Sequence, residues 1–406
     1  MKNIKLIIRN KVFLFVFVAV ILVFLFLKSI FGNCQSFKKI TINVYNWGNH
    51  ISDGSNGYLD VNAEFEKRTG IQVNYTTYLD NESLFAKLNG SSTKYDVIFP
   101  SDYMIAKLIE KDMITKLDFN MIKNASTIDK EFLNPQYDPT NEYSVPYTWG
   151  VIGIFYNKKI VDDPKEKIDW DIFWNPKYKG KILMFENSPR DALALSLLKL
   201  KLSINTTKIE DLQRAAQEMI NQRPLINSYV SEQVFDKIGS GEAALAPYYS
   251  DAYIVNSKNE DIGFVVPKSG TNKFVNAMCV PKDSNHKKEA MQYINFICNP
   301  DIAVENISHV AYCTPQSVVR KRLDPKVANS ELVYPSKEIL SKSFTYKNLP
   351  DDINIAVNNL WLKTRIDGYN GKLKLILIFL IFILLYFTIL IYKFIKKRKE
   401  FKLYEF

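Results

Sequence analysis

Between two long apolar runs, the chain alternates short strand-like and helix-like stretches. Thr41 to Tyr45 alternates apolar and polar positions as a half-buried strand does. Leu59 to Gly70, LDVNAEFEKRTG, repeats apolar residues at helical spacing and stops on a glycine. IQVNYTTY is the next strand and ESLFAKLNG a short helix. Tyr95 to Phe99 is a buried strand, ended by Pro100 and followed by the helical DYMIAKLIEKDMI. This β-α-β-α-β order predicts a parallel sheet with right-handed crossovers. Ligand groups then belong at the C-terminal strand ends, at Trp47 and at Ser101 to Tyr103. Trp47 lies where a strand runs into the turn Gly48-Asn49. There it either closes a core or offers a ligand its ring face.

Further along, Ser144 to Tyr156 is an extended run too long for one short strand, and Asp261 to Lys282 is a second. Such segments pass from one lobe to another. Between them GKILMFENSPRDALALSLLKL gives a strand, a turn and a helix, with Asp191 in the helix's first turn. SEQVFDKIGSGEAALAPYYSDAYIV gives a helix, a strand and a further helix. KKEAMQYINFICNPDIAVENIS is helical. No internal repeat or low-complexity tract is evident outside the apolar runs.

The flanks carry the charge. The net formal charge is +10, yet residues 1–37 hold five basic residues and no acid, and residues 372–406 hold eight basic residues against Glu400 and Glu405. The body is therefore near neutral and carries no electrostatic footprint for nucleic acid. Val12 to Leu27 is unbroken and apolar. It reads as an uncleaved anchor rather than a removed signal, although Cys34 in IFGNC has a lipoprotein-like setting with Asn33 in place of a small residue. Leu375 to Tyr392 has spanning length and is followed by KFIKKRK. With positive residues inside, both termini are expected in the cytoplasm and residues of about 38–370 outside it, with membrane lipid as a contact.

The four cysteines, Cys34, Cys279, Cys298 and Cys313, have no zinc-like or thioredoxin-like spacing, so both a disulfide and buried thiols stay open. The three histidines sit beside no nucleophile or ligand set, and no P-loop, G-x-S-x-G or H-E-x-x-H motif occurs. Enzymatic, metal and cofactor chemistry are therefore not expected.

The motifs YNWGN, FEKRTGIQVNY, YDVIFPSDYMIAKL, YSVPYTWGVIGIFYN, NPKYKGKILM, SPRDA, GEAALAPYYSDA, VPKSGTN and AYCTPQ follow one another over roughly residues 40–350. This order resembles the solute-binding proteins of bacterial spermidine/putrescine ABC transporters. The resemblance implies an α/β, two-lobed, periplasmic-binding-protein-like type II fold with hinge crossovers at Tyr147–Ile154 and Pro267–Ala277. N- and C-terminal transmembrane helices are expected to flank it. The expected division is 1–37 tip and anchor, 38–146 and 271–330 first lobe, and 147–270 second lobe. Residues 331–368 are C-terminal helices on the lobes, and 369–406 a transmembrane helix and basic tail. The permease and ATPase would be separate chains.

The family closes its lobes over a polyamine. Ammonium groups ask for carboxylates or hydroxyls, and the methylene chain asks for aromatic faces. By resemblance, Trp47, Tyr103, Phe274 and Tyr312 fall on the aromatic cage, with Tyr248 and Tyr249 where a tryptophan is common. Ser101 and Ser228 match hydroxyls that face the ligand. Of the acidic positions, only Asp191 keeps its carboxylate; Asn49, Ser188 and Asn276 stand at the others. Asp102, Asp251 and Glu186 lie near strand ends and could compensate. The alternatives are a diamine, a neutral or mono-cationic solute, or a membrane-anchored sensor.

Overall fold

The structure is a computed structural model. It describes residues 39–402 except Ser91, Pro164, Glu232 and 251–258, together with Phe17, Ala19 and residues 21–23. Asp251 and Cys34 therefore lie outside the described residues.

The first sheet is three-stranded and parallel. Strand β1 (Thr41–Trp47) sits between β2 (Gln72–Tyr78) and the two-residue β3 (Val97–Ile98). Helix α1 (Val61–Thr69) makes the first crossover. Asp60 caps it by accepting from Ala63 N at 2.9 Å, and Gly70 closes it with a left-handed φ of 73°. The short α2 (Asn81–Gly90) makes the second crossover. Strand β3 is shorter than its apolar run predicts: only Val97 and Ile98 pair with β1, while Ile98 also bridges to Cys279 on its other side and Ser101 bridges to Asn276 beyond it. Pro100 then ends the strand and α3 (Asp102–Glu110) begins.

The second sheet is six-stranded and mixed. Its centre is β4 (Val145–Asn157), buried along all thirteen residues, which accounts for the length of the extended run in the sequence. The spatial order is β6 (Ile226–Val230), β5 (Ile182–Phe185), β7 (Leu245–Tyr249), β4, β8 (Ile262–Val265), with β9 (Lys273–Met278) also on β4. Strand β4 changes partners halfway. Val145 to Val151 pairs with β9, and Ile152 to Asn157 pairs with β7 and β8. The two expected crossing segments thus run antiparallel, side by side, with Thr148 opposite Asn276 and Gly150 opposite Phe274.

Helices α4 (Pro189–Lys199) and α5 (Ile209–Gln222) cover one side of this sheet through Leu193, Leu197, Ala215 and Met219. Helices α6 (Val234–Gly239), α7 (Lys287–Ile297) and α8 (Pro300–Val310) complete the main layers. Cys279 and Cys298 are buried thiols outside any disulfide, and the Cys313 thiol donates to the Val333 carbonyl.

The C-terminal helix α9 runs from Asp351 to Lys402. Its first turns are part of the folded body: Ile353, Val357 and Trp361 are buried against the cluster that holds α4 and α5. Leu375–Tyr392 is therefore the continuation of a packed helix rather than a separate element. Among the described residues no helix is long and apolar enough to cross a membrane. This corrects the expectation of flanking N- and C-terminal transmembrane helices. The membrane location and cytoplasmic ends that rested on them are likewise unsupported. Most of Val12–Leu27 lies outside the described residues.

Candidate functional site

Two helices begin where the two sheets meet, and each places an aspartate in its first turn. In α3 this is Asp102, fully buried. Its Oδ1 accepts from Tyr103 N at 2.7 Å and its Oδ2 from Val275 N at 3.3 Å. Burial pushes its carboxyl up to about 7, against the pull of these N–H groups and of Arg190. In α4 the residue is Asp191, 6% exposed. It takes hydroxyls from three elements. Ser188 Oγ and Tyr249 OH donate to Oδ2 at 2.5 and 2.7 Å, and Tyr346 OH donates to Oδ1 at 2.9 Å. Ser188 is the residue before the helix, Tyr249 ends β7, and Tyr346 comes from the C-terminal segment. Asp191 thus binds hydroxyls instead of capping its own helix.

Aromatic rings continue from this carboxylate. Tyr249 meets Phe274 edge-on at 5.4 Å between centroids, and Tyr248 lies beside Tyr249 at 5.3 Å. Phe274 and Asn276 alternate on β9 and so share one face. Asn276, 3% exposed, accepts from Ser101 Oγ at 2.9 Å and donates to Thr148 Oγ1 at 3.3 Å. Its Nδ2 lies 3.5 Å from His50 Nε2. The His50 ring is 4.0 Å from that of Tyr312. Burial drives His50 down to about 4, so the imidazole is neutral at neutral pH. With Nδ1 3.0 Å from the Gly48 carbonyl, the proton is on Nδ1 and the Nε2 lone pair is left as an acceptor.

Trp47 is half-buried. Its Nε1–H donates to the Phe99 carbonyl at 2.7 Å and its ring tilts against Tyr78 at 4.7 Å and His50 at 6.1 Å. The two roles open from sequence are therefore combined: one edge is tied into the sheet, and another side faces His50. Tyr103 packs against the cores of both sheets and donates to Glu82 Oε1 at 3.0 Å.

The structure thus gathers Asp191, Ser188, Tyr249, Tyr248 and Phe274 into one chain of contacts. It gathers Asn276, Ser101, Tyr312 and Trp47 into another, through His50. Asn49 stays out of both: it is exposed, and its φ of 54° serves the turn after β1. Ser228 also stays out, on β6 opposite Leu183, where its hydroxyl donates to Asn227 Oδ1 at 2.8 Å. Glu186 is engaged through its backbone, with its carbonyl accepting from Arg365 at 3.3 Å.

Four participants were missed in the sequence. His50 stands three residues after Trp47 and had the strand-end signal. Arg190 adjoins Asp191 in SPRDA. Its guanidinium lies 4.2 Å from the Tyr346 ring centre and 4.8 Å from that of Tyr103, and it donates to the Lys347 carbonyl at 2.6 Å. Thr148 had the alternation of a long strand as its signal. Tyr346 had none, because it reaches Asp191 from 155 positions away.

The segment that carries Tyr346 ties down both sides. Phe344 exchanges backbone hydrogen bonds with Thr271 and Lys273, at 2.8 Å each. Asn348 donates to Glu110 at 2.7 Å, and Asp351 pairs with Lys111 at 3.0 Å and Lys107 at 3.4 Å.

A sequence profile described as bacterial extracellular solute-binding protein matches residues 92–343. The spermidine/putrescine-binding periplasmic protein of Escherichia coli K12 is 33% identical over 302 residues, 74% of this chain and 84% of that one. The putrescine-binding periplasmic protein SpuD of Pseudomonas aeruginosa is 28% identical over 354 residues, 83% of this chain and 95% of that one. Among solved structures, the spermidine/putrescine ABC transporter substrate-binding protein PotD of Streptococcus pneumoniae superposes with a TM-score of 0.70 at 29% identity. It covers 81% of this chain and 99% of that one. With this match in profile, sequence and shape, the chain belongs to the bacterial extracellular solute-binding proteins.

Proposed function

We propose that this chain is the extracytoplasmic substrate-binding component of an ABC transporter. In this reading it captures an amine of the spermidine/putrescine class between two lobes and hands it to a permease on a separate chain. The observation that carries it is Asp191. It is a buried carboxylate whose hydrogen-bond donors are three hydroxyls from separate elements, at the head of the aromatic pair Tyr249–Phe274. A carboxylate has about four acceptor positions. Three are used here, and rotating hydroxyls give way to an ammonium more readily than backbone groups do.

Residues 38–146 and 271–330 form the first lobe in this reading and 147–270 the second. Capture is non-covalent, and closure turns about β4 and β9. Trp47, Tyr103, Tyr248 and Tyr312 supply the remaining walls. The wider relationship supports the ligand class, since the relatives named above are described as binding spermidine or putrescine.

Thermal melting of the full-length chain against spermidine, putrescine, amino acids and sugars tests the proposal. A ligand at one hundred times its dissociation constant stabilises by ~2.7 kcal/mol. An upward shift with amines and none with sugars is the expected result. A shift with sugars alone would sink the amine reading.

A further inference from the structure

The polar groups on the two sides of the seam differ in kind. At Asp191 there is a carboxylate, and Arg190 beside it holds a fixed guanidinium over the faces of Tyr103 and Tyr346. Arg190 Nε and Nη1 are buried without a hydrogen-bond partner, so that cation is turned inward and not dispersed into water. A second ligand ammonium placed near this end would meet a like charge at low dielectric.

At Asn276 the picture reverses. Asn276, Thr148 and His50 are each 5% exposed or less, and Ser101 is 9% exposed. The hydrogen bonds described for their side chains run among themselves and to the Gly48 carbonyl. No carboxylate takes part in them. Asp102 adjoins Ser101, but its oxygens are held by Tyr103 N and Val275 N. What the group offers is uncharged: acceptors at His50 Nε2, Asn276 Oδ1 and the Ser101 and Thr148 hydroxyl oxygens, and one weakly engaged donor, Asn276 Nδ2, whose two contacts are as long as 3.3 and 3.5 Å. An ammonium has three donors and no acceptor, so it leaves Asn276 Nδ2 without a better partner and its own charge uncompensated. An amide presents a carbonyl to Asn276 Nδ2 and an N–H to His50 Nε2. The Tyr249–Phe274 pair joins the two ends and suits a short methylene chain.

From this juxtaposition we infer that the seam selects an amine charged at one end only, such as an N-acylated diamine. Its ammonium sits at Asp191 and its neutral amide at His50 and Asn276. The inference rests on the amine-binding reading above and narrows it. His50 and Asn276 become the residues that set ligand charge.

Calorimetric titration of the full-length chain with putrescine and with N-acetylputrescine tests it. N-acetylputrescine is expected to bind about ten-fold tighter or more, the scale of one charged hydrogen bond. Asn276→Asp should invert the order by restoring a charge for the second ammonium, provided its melting temperature stays near that of the native chain. Equal or tighter binding of putrescine by the native chain overturns the inference and leaves the amine reading standing. Binding of neither amine overturns the inference, and the melting shift with spermidine then decides the amine reading. A folded Asn276→Asp chain that keeps the native order would show that Asn276 does not set the charge. Should that variant fail to fold, the native pair of titrations still decides.

Discussion

Asp102 and Asp191 are the same residue in the same local setting, each in the first turn of a helix at the seam between the two sheets. Their partners differ. Asp102 is held by two backbone N–H groups, one from its own helix and one from β9. Asp191 is held by three hydroxyls on rotatable side chains. A backbone donor has no alternative geometry without unfolding its element, whereas a hydroxyl turns about a single bond. The first carboxylate is therefore part of the frame, and the second can exchange its partners without unfolding an element.

The largest expected effect lies in the pH dependence of stability. Burial raises Asp102 from its ordinary value of 3.8 to about 7. The folded chain then holds a proton that the unfolded chain has released. Stability from this group is fully present below pH ~3.8 and is lost as pH rises through ~7. At about 1.4 kcal/mol per unit this is on the order of 4 kcal/mol. Urea denaturation of Asp102→Asn against the native chain should show the variant gaining relative stability between pH 4 and 7. A parallel pair of curves would remove the distinction.

His50 works in the opposite sense over nearly the same window. Its proton affinity falls from 6.5 to about 4 on burial, so its contribution is present above pH ~6.5 and lost as pH falls toward 4. His50→Gln should lose less stability on acidification than the native chain, by on the order of 3 kcal/mol. The two slopes oppose each other, so the native chain should change less than either variant.

Next comes Asp191→Asn, which keeps the shape and removes the charge. Amine affinity should fall ~10–100-fold, the scale of a charged hydrogen bond at ~1.5–3 kcal/mol. Isothermal titration gives the number. Unchanged affinity would return Asp191 to the frame beside Asp102. The smallest effect is expected for Trp47→Phe. It keeps a ring near His50 and loses the bond to the Phe99 carbonyl, at a cost of ~1 kcal/mol in stability. A loss of binding larger than the loss of stability would mean that the indole itself touches the ligand.

How much of this was legible in the sequence depended on distance along the chain. That the first three strands are parallel followed from local strand and helix periodicity; that β1 lies between the other two did not. The long buried β4 followed from its unbroken extended pattern. Asp191 and Asn276 stood out because their motifs are local. Tyr346 did not, since its partner lies 155 residues away and no periodicity encodes that contact. Ser228 and Asn49 matched by position but point to a strand edge and a turn. Nor did the sequence show that Leu375–Tyr392 continues a helix already docked through Val357 and Trp361.

Strand β4 has a mechanical meaning. One run of thirteen residues belongs to both halves of the sheet, with no loop inside it to absorb a rotation. Turning one half against the other must be taken up as twist spread over many peptide units, as in a torsion wire. Gly150 and Gly153 thin that wire where Phe274 and Phe264 press against it: a Cβ on Gly150 would come within 2.6 Å of Phe274, and one on Gly153 would overlap Phe264. A wire of this kind is elastic. A rotation imposed on one half is stored as twist along β4 and along its antiparallel neighbour β9, and is given back when the load is removed.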